Sequence, residues 1–303
     1  MFDICLIGTG GMMPLPNRWL SSMLVRFNGK MLLIDCGEGT QISLKQLGWG
    51  FKNIDTICFT HYHADHISGL PGMLLTLGNS ERTEPLTLIG PTGLERVVSA
   101  LRTIATELPF EIIYKEINTD EVCTLQLNEY ILKTCGAKHG VPCLAYSIET
   151  ERLGKFDIEK ALKLDLPKKY WNLLQNEQEV LYQDKTYMPS MVMGESRKGF
   201  KLGYCTDSRP TENIVLLVKN ADLFVCEGMY AEKDKANKAI ERKHMMFYEA
   251  AQMAKEAQVK ELWLTHYSPS LTNPKDYLYV AKEIFNNTKA GYDRIVRSMV
   301  YED

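Results

Sequence analysis

Four side chains able to hold a metal crowd into one short stretch of this chain, His61, His63, Asp65 and His66, immediately after an apolar strand-like run, DTICF. Neutral imidazoles and carboxylates suit a borderline cation such as Zn²⁺, and a loop leaving a strand can turn alternate residues towards two different ions. In that arrangement His61 and His63 face one metal, while Asp65 and His66 face the other. Four ligands do not complete two sites. Histidine or aspartate just past other strand ends supplies the candidates: His139 after ILKTC, Asp207 after KLGYC and His266 after ELWL. Strand C-termini are where ligand sites gather in α/β folds. Taken singly, such a histidine is more often packing and such an aspartate a helix cap. Beside the 61–66 cluster, all three read as ligands.

Two further polar residues sit where proton transfer can use them. Glu227 ends the strand-like run DLFVC, and His244 opens a helical pattern that precedes ELWL. A helix N-terminus disfavours imidazolium, so this position predicts a lowered pKa for His244. Each of the six histidines of the chain then has a task, five at metal and one at a proton. The segment Gly8-Thr9-Gly10-Gly11 follows the first strand, but Met13 replaces the third glycine of a dinucleotide fingerprint, and Pro14 and Pro16 oppose the helix that would hold a pyrophosphate. It reads as a tight turn near the metal site, and no nucleotide cofactor is expected.

The elements that must position these groups alternate between short β-branched or aromatic runs and longer amphipathic ones, which predicts an α/β protein. Strands are expected at 2–7, 22–27, 31–34, 55–59, 86–89, 131–135, 144–148, 201–205, 223–226 and 261–264, with helices at 39–47 and from Phe247. Residues 150–199 break the rhythm. This stretch is polar and lysine-rich, carries one convincing short helix at about 157–164, and reads as an insertion protruding from the core.

Composition bounds the function. The 303 residues are 45% hydrophobic and 24% charged, which excludes disorder and gives enough chain to bury a sizeable core. A net charge of -3 gives no global attraction to nucleic acid, so any such binding needs a local patch. No apolar run is long enough for a membrane span and the start lacks a signal peptide, so a cytoplasmic location is expected. The eight cysteines include no C-x-x-C pair and lie mostly in strand-like runs, as reduced core residues do.

With these motifs in view, the chain resembles the metallo-β-lactamase superfamily and, within it, the ribonuclease Z family. The likeness runs through IGTGGMMPLPNR, LLIDCGEGTQ, FTHYHADHISGLPGML, LTLIGPTGL, YCTDSRPTENI and LTHYSP. It implies a four-layer αββα sandwich, a single domain over 1–303 with 150–199 as a flexible arm inserted in it, and two zinc ions per subunit, with manganese or iron as other occupants. It further implies that His61, His63 and His139 bind one ion, that Asp65, His66 and His266 bind the other, and that Asp207 bridges them. Asp65 would accept the proton of the attacking water, and Glu227 and His244 would assist the departing 3′ oxygen. The implied reaction is hydrolysis at the 3′ end of precursor tRNA by a homodimer, leaving a tRNA 3′-hydroxyl and a 5′-phosphorylated trailer.

The insertion carries nine basic residues against eight acidic ones, so RNA affinity there must come from clustering, as at Lys168-Lys169-Tyr170-Trp171; Arg18 is a further expected substrate contact. Departures from the family pattern fall in recognition segments. Lys169-Tyr170 stands for a Gly-Pro pair, Cys226-Glu227-Gly228-Met229 for His-Glu-Ala-Thr, Lys243-His244-Met245-Met246 for Gly-His-Ser-Thr, and Arg18-Trp19 for Arg-Asn. The pattern leaves an alternative open: a paralogue using the same centre on a small or cyclic phosphodiester. A catalytically idle RNA-binding protein fits less well, because it has no reason to keep all seven ligands.

Overall fold

The computed structural model describes residues 1–127, 130–152, 154–176, 178–195 and 197–301. The first half of the chain supplies β1 (Phe2–Gly8), β2 (Ser22–Phe27), β3 (Lys30–Ile34), β4 (Ile54–Cys58), β5 (Leu86–Pro91), β6 (Ile112–Ile117), β7 (Cys123–Gln126), β8 (Ile131–Gly136) and β9 (Leu144–Glu149). A short hairpin, β10 (Val180–Tyr182) and β11 (Lys185–Tyr187), precedes β12 (Lys201–Cys205), β13 (Leu223–Glu227), β14 (Leu262–Thr265), β15 (Thr288–Ala290) and β16 (Val296–Met299).

Two seven-stranded sheets result, ordered β16-β1-β2-β3-β4-β5-β6 and β15-β14-β13-β12-β9-β8-β7. Strands β3 to β6 are parallel, as are β12 to β15, and hairpin-like antiparallel strands complete each sheet. The sheets pack face to face. Phe2, Ile4, Leu6, Val25 and Leu32 of one share a buried cluster with Leu132, Tyr146, Leu202, Tyr204 and Trp263 of the other. Side chains of alternate strand residues point outward, where Cys5, Ile7 and Leu33 meet Leu70, Met73 and Leu77 of the helix Leu70–Asn79. On the second sheet Phe224, Cys226 and Leu264 meet Phe247, Ala250 and Ala254 of the helix Phe247–Glu256. The central strands are therefore covered on both faces, which is why they read as continuous apolar runs rather than alternating ones. Fully burying each such large side chain contributes about 1.5–3 kcal/mol.

The eight cysteines are free thiols, seven of them buried, as expected. The helix expected from 39 begins at Thr40, with Gly39 left-handed before it. Strands β6, β7, β15 and β16 escape the sequence pattern because they are short or half-exposed outer strands with mixed composition.

Residues Thr150–Gly199 form a second compact unit. It holds more order than one helix: Ile158–Lys163 and Trp171–Gln175 are helical, Lys168–Tyr170 is a 3₁₀ turn, and the β10–β11 hairpin closes on a small core of Ala161, Leu166, Leu174, Val180, Tyr187 and Val192. Such a core explains the apolar residues that make this stretch richer than a linker.

Candidate metal centre

Each expected ligand leaves the C-terminal end of a strand. His61, His63, Asp65 and His66 follow β4, His139 follows β8, Asp207 follows β12 and His266 follows β14; β13 ends on Glu227. The structure brings all seven ligand candidates together. Ligand atoms of His61, His63 and His139 lie within 4.8 Å of one another, as do those of Asp65, His66 and His266, and those of His61, His66 and Asp207. Asp207 sits between the two histidine groups, with Oδ2 at 3.1 Å from His66 Nε2 and 3.2 Å from His266 Nε2, and Oδ1 at 3.9 Å from His139 Nε2.

Backbone geometry aims these side chains at some cost. Asp207 and His266 adopt left-handed φ values of 51° and 57°. For residues other than glycine this region costs on the order of 1–3 kcal/mol, and it persists where surrounding structure enforces it. Gly11 has a complementary role, since a Cβ there would come within 2.8 Å of His266 Cε1 and 2.9 Å of Met229 Cε. The expected tight turn thus presses against a ligand, and only glycine allows it.

Cation fit follows from atoms left without partners. His66 Nε2, Asp207 Oδ2 and both ring nitrogens of His266 are buried and make no hydrogen bond among the described residues. Burial alone would raise the Asp207 pKa, yet the charges of His266, His66 and His61 hold it far below the carboxylate range. Burial would likewise raise Asp65, but the His266 and His66 rings, 3.7 and 3.5 Å from its Oδ2, depress it. For His66 burial favours the neutral ring, and the carboxylates of Asp207 and Asp35 overcome it. Buried anions crowded against ring nitrogens with which they make no aligned hydrogen bond ask for positive charge between them, and the N and O donor set suits a divalent ion.

One residue that orders this centre was missed in the sequence. Asp35, at the end of β3, is fully buried, accepts hydrogen bonds from Thr60 N and Thr60 Oγ1, and lies 2.8 Å from His66 Nδ1. A carboxylate on the far nitrogen of a ligand histidine fixes its tautomer and orientation. The strand-end rule that found Asp207 would have found Asp35 as well. Asp35→Asn is expected to weaken metal affinity by about 10–100-fold, read by metal titration against a competing chelator. Unchanged affinity would show that packing alone orients His66.

His244 requires a correction. It lies before the helix Phe247–Glu256, whose N-cap is Met246, so it does not sit in the positive field of a helix start. Its Nδ1 is 3.0 Å from Glu227 Oε2, and although burial opposes it, the Glu227 carboxylate raises its pKa to about 9. Glu227 is itself wholly buried, its other oxygen accepting from Ser208 N. Glu227 thus meets His244 and Ser208 and does not itself line the cleft over the centre. Arg209, also unassigned in the sequence, ties the surrounding loops together. Its backbone N–H donates to Lys138 O, and its guanidinium binds His244 O and both oxygens of Glu249.

The expected substrate contacts fare differently. Arg18 donates to Leu271 O at 2.9 Å and Thr272 O at 2.8 Å and lies over the Tyr267 ring, so its donors brace a loop. Tyr170 and Trp171 are half-buried against the small core of their own unit, and Trp171 Nε1 donates to Leu166 O. Lys168 and Lys169 remain exposed. Over the centre, a cleft of about 600 Å³ is lined by His63, Asp65, His139, Asp207, His244 and His266. Its rim adds Lys238 and Arg242, one turn apart on the helix Ala236–Arg242, together with Lys243.

Two stacked mixed sheets with helices outside and a histidine–aspartate centre at the strand ends define a metal-dependent hydrolase of the metallo-β-lactamase fold. Human tRNase Z, short form, aligns with a TM-score of 0.70 at 23% identity, over 99% of this chain and 100% of that one. The metallo-β-lactamase fold protein YhfI from Bacillus subtilis aligns with a TM-score of 0.69 at 21% identity, over 98% of each chain. A family profile described as anti-Pycsar protein Apyc1 matches residues 2–136. Much greater identity is found among curated proteins. Ribonuclease Z of Agathobacter rectalis is 56% identical over all of both chains, and that of Lachnoclostridium phytofermentans is 56% identical over 97% of this chain and 96% of its own. The chain belongs to the ribonuclease Z family.

Proposed function

We propose that this protein is a tRNA 3′-processing endonuclease that hydrolyses one phosphodiester of precursor tRNA and leaves a tRNA 3′-hydroxyl and a trailer with a 5′-phosphate. The observation that carries the reading is the convergence of seven ligand candidates, with buried ring nitrogens and a carboxylate oxygen left unpartnered, in a chain 56% identical to ribonuclease Z over its full length.

Two zinc ions are proposed as the resident metals, one held by His61, His63 and His139, the other by Asp65, His66 and His266, with Asp207 shared. When bound, such ions make water a competent nucleophile near neutral pH and offset negative charge on phosphoryl oxygens. The protein's own groups handle the protons. Asp65, ionised and fixed by the Met12 N–H at 2.8 Å, accepts the proton of the attacking water. With Nδ1 of His244 taken by Glu227, its Nε2 donates to the departing 3′ oxygen as the P–O bond breaks. Lys238, Arg242 and Lys243 supply the positive lining that a polyanion needs in a chain of net negative charge.

The unit Thr150–Gly199 is proposed to grip tRNA through the exposed Lys168 and Lys169 rather than through the rings beside them. Its deletion should raise KM for pre-tRNA several-fold and spare bis(p-nitrophenyl) phosphate; equal losses on both substrates would remove that role. A homodimer working in the cytoplasm completes the proposal. No helix among the described residues is long and apolar enough to cross a membrane. Sedimentation of the purified protein reads the dimer directly.

The deciding experiment incubates the protein with 3′-extended pre-tRNA, a cyclic dinucleotide and bis(p-nitrophenyl) phosphate, and maps the RNA termini. Efficient pre-tRNA cleavage with 3′-hydroxyl and 5′-phosphate ends is expected. Preference for the small phosphodiesters would replace this reading by that of a paralogous phosphodiesterase.

A further inference from the structure

A second groove, sharing no lining residue with the metal cleft, lies where the outer strands β15 and β16 of the two sheets meet. It encloses about 560 Å³ and carries Lys275, Lys282, Lys289 and Arg297 against a single acid, Glu261. In a chain whose net charge is -3, that excess is a local feature.

Two of the cations are held in place. Glu261, 7% exposed, accepts from Lys289 Nζ at 2.8 Å and from Trp263 Nε1 at 2.7 Å on one oxygen, and from Arg297 Nη1 at 2.5 Å on the other. Its charge is spent inside the groove, and the cationic heads keep further donors for a ligand. Lys275 Nζ lies 5.6 Å from the centroid of the Tyr292 ring, which is 54% exposed. Cations beside an open ring form the surface that suits a phosphate chain with bases attached, whereas an acidic peptide has no use for the ring.

The groove also joins the metal centre along the chain. Asp293, next to Tyr292, accepts from Thr9 Oγ1 at 2.8 Å and Trp19 N at 2.6 Å, anchoring the glycine turn that presses on His266. We propose that this groove binds the phosphodiester backbone of an RNA strand whose scissile bond lies in the metal cleft, an inference that rests on the ribonuclease reading.

The test is fluorescence anisotropy of a labelled oligouridylate across a salt series, comparing the wild type with the double variant Lys275→Gln, Lys282→Gln. Two lost phosphate contacts should lower the slope of log K against log salt by about 1.4 and weaken binding several-fold at low salt. Lys275→Glu with Lys282→Glu should weaken it further, and the unfolding midpoint checks that each variant is folded. An unchanged slope in folded variants overturns the inference. Displacement of the oligonucleotide by poly-glutamate at equal charge would assign the groove to an acidic peptide and also overturn it. A wild type that binds through these lysines yet leaves pre-tRNA intact would remove the ribonuclease reading and keep the groove as an RNA site.

Discussion

Asp207→Ala should reduce hydrolysis of both pre-tRNA and bis(p-nitrophenyl) phosphate to the background rate, the largest loss expected from any single change. Asp207 is the carboxylate that faces both histidine groups, at 3.1 Å from His66 Nε2, 3.2 Å from His266 Nε2 and 3.9 Å from His139 Nε2. Removing it withdraws a ligand from both proposed ions and the negative charge that offsets them. Asp65 would then be the one carboxylate left among the ligand candidates, and two divalent ions would leave excess positive charge in a buried space, where an unpaired ion is heavily penalised. Metal analysis of the purified variant should accordingly show fewer than two ions per chain. Both metals present with full turnover would eliminate Asp207 as a bridging ligand and the two-ion mechanism with it.

The ligand candidates were legible because their residue types are out of place. Histidine and aspartate at the ends of apolar strands have no packing reason to recur, so four such ends in one chain mark one edge of a sheet pair. Strand interiors were legible for a related reason. Burial on both faces writes a mostly apolar run, and 22–27 and 201–205 match β2 and β12 residue for residue. The outer strands lack that signal, since β6 and β16 are partly exposed and carry charged residues within the run.

What stayed hidden was partnership. Nothing in Glu227 or His244 says that their side chains meet at 3.0 Å, and the helix-start argument for His244 failed because a neighbouring carboxylate outweighs a distant dipole. Arg18, Tyr170 and Trp171 have the right chemistry for RNA, yet their hydrogen bonds and packing are spent within the protein. Lys238 and Arg242 show the reverse. No sequence motif marks them, and only the fold puts them at the rim of the cleft.

His244→Ala should lower turnover by about 10²–10⁴-fold while leaving the metal content of the protein unchanged, because a general acid contributes to the departing oxygen and not to ion retention. The Glu227 carboxylate makes a finer test of the same arrangement. It is wholly buried and touches His244 Nδ1, so in the proposed reaction it would fix which ring nitrogen faces the substrate and favour the charged ring. Glu227→Gln keeps the shape but loses that charge, and a smaller loss of about 10–100-fold is expected, with KM little changed. The double variant should be no slower than His244→Ala alone, since a positioning group has nothing left to position. A further multiplicative loss would mean that Glu227 supports the centre by another route, for instance through Ser208 N beside Asp207. Loss of metal from His244→Ala would move His244 from the proton to the ion, where its ring groups with Asp207 and His266.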